Sequence, residues 1–187
     1  MSAAPNGLLR VAAFAACLAA GGCLVSETPL FDAGNARSKP LKAGQYSICS
    51  WSSDDPDEGE CNPADISVDR SGLYKLSVED DVVDARFRKV ARGAWAAQFS
   101  EGGDETHYYF GAREDGVFTL TMMWCENLPA TLRDGLAADG DLVVESDNKV
   151  CNVTSARAVV AAAKAYARGE VDGERIYLTF EREVAAQ

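Results

Sequence analysis

The chain has one histidine, and imidazole is a common catalytic base and metal ligand in proteins. His107 lies in an alternating stretch, residues 106–110, that places His107 and Tyr109 on one face of a strand. No nucleophile elbow, no His-Glu-x-x-His pair and no phosphate-binding loop accompanies it in the sequence. We therefore interpret His107 as a strand residue on the sheet surface, and we predict that the protein is not an enzyme.

A short acidic run is the best candidate for a cation site. It lies between Cys49 and Cys61, and its carboxylates belong to Asp54, Asp55, Asp57, Glu58 and Glu60. Hard cations such as Ca²⁺ bind several oxygen atoms on a flexible turn, so this composition suits a weak divalent site. The spacing differs from that of an EF-hand loop, however, and we favour a solvated loop. A recognition loop for a basic partner is the third interpretation, and no cofactor is predicted.

A large set of aromatic residues could form either a core or a binding surface. Its members are Tyr46, Trp51, Tyr74, Trp95, Tyr108, Tyr109, Phe110 and Trp124. Most aromatic rings of a sheet domain belong to the core, whereas rings that line a concave face stack on sugars, peptides or lipids. The sequence alone does not show which of these rings belong to the core and which line a binding surface.

The N-terminal residues have the pattern of an export signal. Residues 1–10 carry one basic residue and no acid, residues 11–20 are apolar, and Gly21, Gly22 and Cys23 follow. A short basic region, an apolar core and small residues at the cleavage point are typical of a secretory signal peptide. The longest apolar run is too short to span a bilayer, which needs about 20 apolar residues.

The small-small-Cys ending resembles the lipobox of bacterial lipoprotein precursors. This resemblance implies removal of residues 1–22 and acylation of Cys23, with palmitate among the acyl chains. Two or three chains would hold the protein on a membrane, at about 0.8 kcal/mol per buried methylene. Because Leu24 rather than Asp follows the cysteine, the resemblance also implies the outer membrane, facing the periplasm. An ordinary signal peptide cut near Ala20 is the alternative.

Four cysteines remain once Cys17 is removed and Cys23 is acylated. They are Cys49, Cys61, Cys125 and Cys151. An even number of separated cysteines in an oxidising compartment indicates two disulfides, and three connectivities are open. We expect Cys49 to pair with Cys61 and Cys125 with Cys151, because sequence neighbours close the shortest loops. We predict no confident metal site, since no ligand pairs at zinc-like spacing occur.

Short alternating stretches between turn signals predict strands, and one amphipathic segment predicts a helix. The expected strands are 45–51, 66–68, 73–78, 82–90, 95–99, 106–110, 117–125 and 175–182. The helix follows a cap at Thr154 or Ser155 and ends at Gly169, and a shorter helix is possible at 130–138. The order predicts an α+β domain, in which an antiparallel meander of about 6–8 strands is a curled sheet or a small barrel with one C-terminal helix packed on it.

These observations predict three segments and one general function. Residues 1–22 form the signal peptide, 23–43 the lipidated cysteine and a flexible tether, and 44–187 a single globular domain. The net charge of −11 and the lack of a basic run argue against nucleic acid as a partner. They also argue against attraction to anionic headgroups, so the expected membrane contact is through the acyl chains alone.

We therefore predict a lipid-anchored periplasmic lipoprotein of the bacterial cell envelope. Its domain would be a non-catalytic binding or envelope-assembly accessory whose partner is an envelope protein or a small ligand. The alternative is a carboxylate-dependent hydrolase acting on an envelope polymer, since the 29 Asp and Glu residues offer many pairs. That alternative requires two acids in one cleft, at least one with a pKa raised by burial.

Overall fold

The described part of the chain comprises residues 22–55, 59–100, 105–145, 150–173 and 175–183 of a computed structural model. Within it, the first strands are β1 (Leu24–Ser26), β2 (Gly44–Ser52), β3 (Glu60–Val68), β4 (Tyr74–Val78), β5 (Asp81–Ala91) and β6 (Ala94–Ser100). The remaining elements are β7 (Thr106–Glu114), β8 (Val117–Met122), α1 (Ala130–Ala138), β9 (Leu142–Val144), β10 (Cys151–Val153), α2 (Ala156–Ala167) and β11 (Ile176–Arg182).

Eight of these strands close into a barrel. Strands β2 to β8 follow one another as antiparallel neighbours, and β11 enters between β8 and β2. Pairing of β6 with β7 over Ala94–Ser100 closes the ring. The α+β prediction of an antiparallel sheet is therefore confirmed, and the sheet is a small barrel.

The barrel interior is filled by side chains from every one of its strands. Tyr74 packs edge-on against Phe87 at 5.1 Å between ring centroids, and Phe87 packs against Phe118 at 5.9 Å. Leu120 and Phe180 are buried beside them, on the inward face that the alternation predicted. An eight-stranded barrel has an interior just wide enough for side chains to fill, and buried side chains of the described residues fill it here.

A second apolar cluster lies on the outer surface of β6 and β7. Ala158, Val159 and Ala162 of α2 are fully buried there, in one cluster with Ala96 and Tyr108. The small alanine side chains allow the helix to lie close to the strands. Helix α2 is the predicted one, and its first turn is capped by Ser155, whose hydroxyl accepts a hydrogen bond from the Ala158 amide.

The chain turns where the sequence predicted. The Asp115-Gly116 pair connects β7 to β8 with both residues at positive φ, 49° and 88°, as a tight hairpin requires. Gly169 follows α2 at φ 68° and ends the helix. The shorter helix at 130–138 is also present, as α1. No helix of the described residues is both long enough and apolar enough to cross a bilayer.

The structure differs from the tether that the sequence predicted at 23–43. Leu24 and Val25 are buried in β1, which pairs with β7 and in parallel with β10. Phe31 and Leu41 are buried further along, and Leu41 joins the barrel core. The reason is that scattered apolar residues between Pro and Gly give no periodicity, yet each occupies its own site on the barrel.

The strand count also differs from the predicted 6–8. Strands β1, β9 and β10 were not expected, since each is only 3 residues long. They pair outside the closed ring and extend the sheet beyond β7. Three residues are too few to show alternation, so tertiary pairing alone defines these strands.

Candidate binding groove

Both predicted disulfides are confirmed. Cys49 and Cys61 face each other in the register of β2 and β3, with a Cα–Cα distance of 4.0 Å. Cys125 and Cys151 join the segment after β8 to β10, with a Cα–Cα distance of 5.6 Å. The first bridge reaches the surface at Cys61, whereas both sulfurs of the second belong to residues with 0 % exposure.

The predicted lipidation residue lies at one end of the barrel. Cys23 is 5 % exposed, and its backbone forms an isolated antiparallel β-bridge with that of Trp124. The Cys23 Sγ donates a hydrogen bond to the Met122 Sδ at 3.2 Å. The preceding Gly22 packs so closely on the Trp124 ring that a Cβ atom there would overlap it. Residues 1–21 of the predicted signal peptide, 1–22, lie outside the described part of the chain.

The acidic run is only partly described. Asp54, Asp55 and Glu60 are exposed, whereas residues 57 and 58, Asp57 and Glu58 of the predicted site, lie outside the described residues. Among the described residues, no three His, Cys, Asp or Glu side chains lie close enough to hold a metal ion. The described acids therefore give no geometric support for a cation site.

His107 lies at the barrel end near Cys23. Its side chain is 14 % exposed, and its Nε2 lies 3.6 Å from the Glu105 carboxylate. Its Nδ1 is buried without a hydrogen-bond partner in the described part of the chain. The residue shares the face of Tyr109, as the alternation predicted, but it is more buried than a surface strand residue.

The aromatic set divides between core and surface. Tyr46, Tyr74 and Tyr109 belong to the barrel core, and Tyr108 to the outer cluster. Trp95 and Trp124 pack on the barrel core from its edges. Trp51 and Phe110 are the two members that line a surface groove.

This groove follows the outer face of four neighbouring barrel strands. It has a volume of about 390 Å³ and is lined by Trp51, Phe110, Ala112, Glu114, Thr119, Thr121, Tyr166, Arg175 and Tyr177. Strand alternation brings these residues together, because every second residue of β7, β8 and β11 points outward. The last turn of α2 adds Tyr166 as one wall.

Two aromatic pairs form the walls. Trp51 and Tyr177 stack with ring centroids 4.1 Å apart and an angle of 18° between their planes. Trp51 is held in place because its Nε1 donates to the Thr179 hydroxyl at 3.0 Å. Phe110 and Tyr166 form the second pair, with centroids 5.8 Å apart. The walls are thus flat ring surfaces, which are half-buried at Trp51, Phe110 and Tyr177 and buried at Tyr166.

Tyr166 is fixed from below by the backbone. Its hydroxyl accepts from the Trp124 amide at 2.9 Å and donates to the Met122 carbonyl at 3.3 Å. Burial raises the pKa of Tyr166 to about 12, against the opposing effect of the hydrogen bond from Trp124. The ring is therefore neutral at physiological pH and offers its face and edge, not a charge.

One cation and one acid line the groove. The Arg175 backbone is held by Ser53, whose hydroxyl accepts from the Arg175 amide at 3.0 Å. Its guanidinium donates once, from Nη2 to the Val171 carbonyl at 3.0 Å, and a guanidinium has five donors. Glu114, near the other end of the groove, is exposed. Arg175 can therefore bind an anionic group of a ligand with donors that the described residues leave unused.

The acids do not form a recognisable catalytic pair in this groove. Glu114 is its only acidic lining residue among those described. A shallower depression of about 260 Å³ holds Asp65, Glu79 and Glu183 on the outer face of β3 and β4. Among the described acids, Asp69 and Glu170 have displaced pKa values, and both pKa values are lowered by hydrogen bonds to the charged carboxylate.

Comparisons with protein-family models, with curated proteins and with solved structures find no match to this chain. The architecture defines the protein as an eight-stranded antiparallel barrel with an aromatic groove on its outer face.

Sequence reasoning missed seven of the nine groove residues, among them Tyr166, Arg175 and Tyr177, which stand far along the chain from Trp51 and Phe110. The pairing of β11 with both β2 and β8 brings Arg175 and Tyr177 to this surface, and helix α2 brings Tyr166. Alternation did indicate that Tyr177 points away from Ile176 and Leu178, which was the one available signal.

Proposed function

We propose that the protein is a lipid-anchored, non-catalytic binding protein of the bacterial cell envelope, and that the outer groove holds its ligand. The groove carries the proposal, because two fixed aromatic pairs and a guanidinium with unused donors converge there. Flat ring faces bind the apolar faces of sugar rings, and Arg binds carboxylates in a planar, bidentate manner. Thr119 and Thr121 add hydroxyl groups on the floor. The expected ligand is a sugar that carries a carboxylate.

A lipid or an apolar peptide is a poorer fit to this groove. Its lining mixes ring faces with two threonines, one arginine and one glutamate, all within about 390 Å³. An acyl chain would leave these polar groups without partners, at a cost of about 1–3 kcal/mol for each buried one. A hydroxyl-rich ligand replaces their water contacts instead.

The binding test uses two sugars that differ in one group. N-acetylmuramic acid carries a carboxylate, and N-acetylglucosamine has the same ring without it. We expect tryptophan fluorescence of the full chain to titrate with the acid form at lower concentration. Arg175→Gln should remove that preference. Arg168 follows Tyr166 by two residues but does not line the groove, so Arg168→Gln should retain the preference.

The outcomes separate binding from catalysis. Loss of all binding in Trp51→Ala, measured by calorimetry because this variant lacks the fluorescent ring, and with the thermal midpoint unchanged, supports the groove as the site. Equal binding of both sugars by the wild type would refute the role of Arg175. Release of a cleaved product from an envelope glycan would instead favour the hydrolase, and Asp65→Asn would then test the acidic depression.

The anchor is a separate part of the proposal and has its own test. The support for it is the lipobox resemblance at Cys23. An acylated sulfur does not fit a position with 5 % exposure, so acylation requires this side chain to leave the Met122 contact. Cys23→Ala should release the protein into the soluble periplasm, and continued membrane association of that variant would contradict the anchor.

A further inference from the structure

Five cations from separate parts of the sequence meet around the β3–β4 turn, residues 69–73. We call them the basic patch: Arg37, Lys39, Arg70, Arg86 and Lys89. Arg37, Lys39, Arg70 and Lys89 are exposed, and Arg86 is half-buried. The sequence contains no basic run, so the patch exists only in the folded chain.

Contacts with the turn hold the patch together. The Lys39 Nζ donates to the Asp69 carbonyl at 2.7 Å, and the Arg86 Nη1 donates to the Ser71 carbonyl at 3.3 Å. The Arg37 backbone lies directly against Gly72, where a Cβ atom would come within 3.0 Å of it. Arg70 belongs to the turn itself.

Lys89 joins the patch through the segment that carries Arg37 and Lys39. Its backbone amide donates to the Ser38 hydroxyl at 3.1 Å, and the Ser38 amide donates to the Phe87 carbonyl at 3.0 Å. These two bonds fix the segment along β5. The five cations, which are spread between Arg37 and Lys89 in the sequence, are therefore brought to one surface by hydrogen bonds and backbone packing and not by ion pairs.

The protein offsets the positive charge of the patch only in part. Hydrogen bonds from the Leu73 amide and the Ser71 hydroxyl hold the pKa of Asp69 below its usual value, and the charge of Arg86 lowers it further. None of the five cations forms an ion pair with a carboxylate of the described residues, whose ion pairs lie elsewhere. The nearest acid, Asp69, accepts from the Ser71 hydroxyl at 2.8 Å and from the Leu73 amide at 2.9 Å. Carbonyl groups accept most of the cations' hydrogen bonds, and carbonyls carry no compensating charge.

The shape of the patch favours a partner that adapts to it. Neither of the two grooves formed by the described residues, the aromatic groove and the acidic depression, includes any of the five residues. The cation–π contact among the described residues joins Arg113 to Phe118 and involves none of the five cations, whereas single-stranded nucleic acid binds to aromatic platforms. Anionic lipids diffuse laterally and can gather under cations of any spacing, whereas a folded acidic partner needs matched geometry.

We propose that the basic patch is a docking surface for a bilayer of anionic phospholipids, which it contacts through their phosphate groups. This surface contacts a bilayer other than the one that holds the acyl anchor. It depends neither on the anchor nor on the groove. The rest of the chain is strongly acidic, with a net charge of −11 overall, and is repelled by such a bilayer. Repulsion of the acidic surface and attraction of the patch orient the barrel with the β3–β4 turn toward the lipid.

The test measures sedimentation of residues 23–187 with Cys23→Ser in the presence of vesicles, so that the apolar residues 1–22 cannot insert into the lipid. One set contains phosphatidylglycerol in phosphatidylcholine, and the other contains phosphatidylcholine alone. A cation near an anionic membrane adds about 5-fold to binding, so Arg37→Gln with Arg70→Gln should weaken binding about 25-fold. Added salt should weaken the wild type in the same direction.

The control variant removes two cations from the helix α2 side. Lys164→Gln with Arg168→Gln changes the net charge equally and should leave vesicle binding unchanged. Equal loss in both double variants would show a net-charge effect and overturn the patch. Equal binding to both vesicle sets would overturn it as well. Retention of long-chain polyphosphate without vesicle binding would assign the surface to a soluble polyanion and not to lipid.

Discussion

Removing the buried disulfide should destabilise the protein more than removing the exposed one. The Cys125–Cys151 bridge spans 26 residues and the Cys49–Cys61 bridge spans 12. The chain-entropy relation gives about 3.5 kcal/mol for the longer loop and about 2.8 kcal/mol for the shorter one. In a chain of this size, that corresponds to a fall in Tm of roughly 7–14 °C for Cys125→Ala with Cys151→Ala.

Urea unfolding of the two double-alanine variants measures these losses. Reduction of the native protein then gives a sharper comparison, because Cys61 is exposed while Cys125 and Cys151 are fully buried. We expect a mild reductant to open Cys49–Cys61 first, as read by thiol labelling and mass spectrometry. The buried pair should react only as the barrel unfolds. Simultaneous labelling of all four cysteines, or a smaller loss for the buried pair, would refute the reasoning.

Two further predictions concern the buried tyrosines. Burial raises the pKa of Tyr74, Tyr108 and Tyr166 to about 12, above the value of 10.0 for an unfolded tyrosine. Each neutral tyrosine therefore contributes about 2–3 kcal/mol to the free energy of unfolding. This contribution is complete below about pH 10 and is lost as the pH rises toward 12, so tyrosinate absorbance should rise together with alkaline unfolding. Separately, Tyr166→Phe leaves the Trp124 amide and the Met122 carbonyl unpaired and should cost about 1–3 kcal/mol in urea unfolding. A pH-independent stability above pH 10, or an unchanged urea midpoint, would contradict these expectations.

The barrel strands were largely predictable from the local alternation of apolar and polar residues. Phe118, Leu120 and Met122 alternate in β8 and point into the core together, because a strand has a period of two. Helix α2 was readable for the same kind of reason, with a serine cap before it and a glycine after it. These features depend on neighbours in sequence, and the prediction covered all eight strands of the ring.

The buried positions of the segment from 23 to 43 were not predictable from local periodicity. Its buried residues, Leu24, Phe31 and Leu41, occupy three different environments and so show no common period. Phe31 is held by Gln98, whose side-chain oxygen accepts from the Phe31 amide at 2.7 Å and whose amide donates to the Phe31 carbonyl at 3.3 Å. That partner is distant in sequence, and no local signal predicts it.

The sequence by itself determined the eight strands of the ring and the long helix and favoured the observed cysteine pairs, because hydrophobic period, turn residues and loop length are local properties. Only the tertiary structure decided that β11 lies between β2 and β8, which places Arg175 and Tyr177 beside Trp51. The basic patch has the same origin, since Arg37 and Arg86 are neighbours only across the β3–β4 turn. Both surfaces depend on strand register and chain closure, which bring together residues that no short stretch of sequence contains.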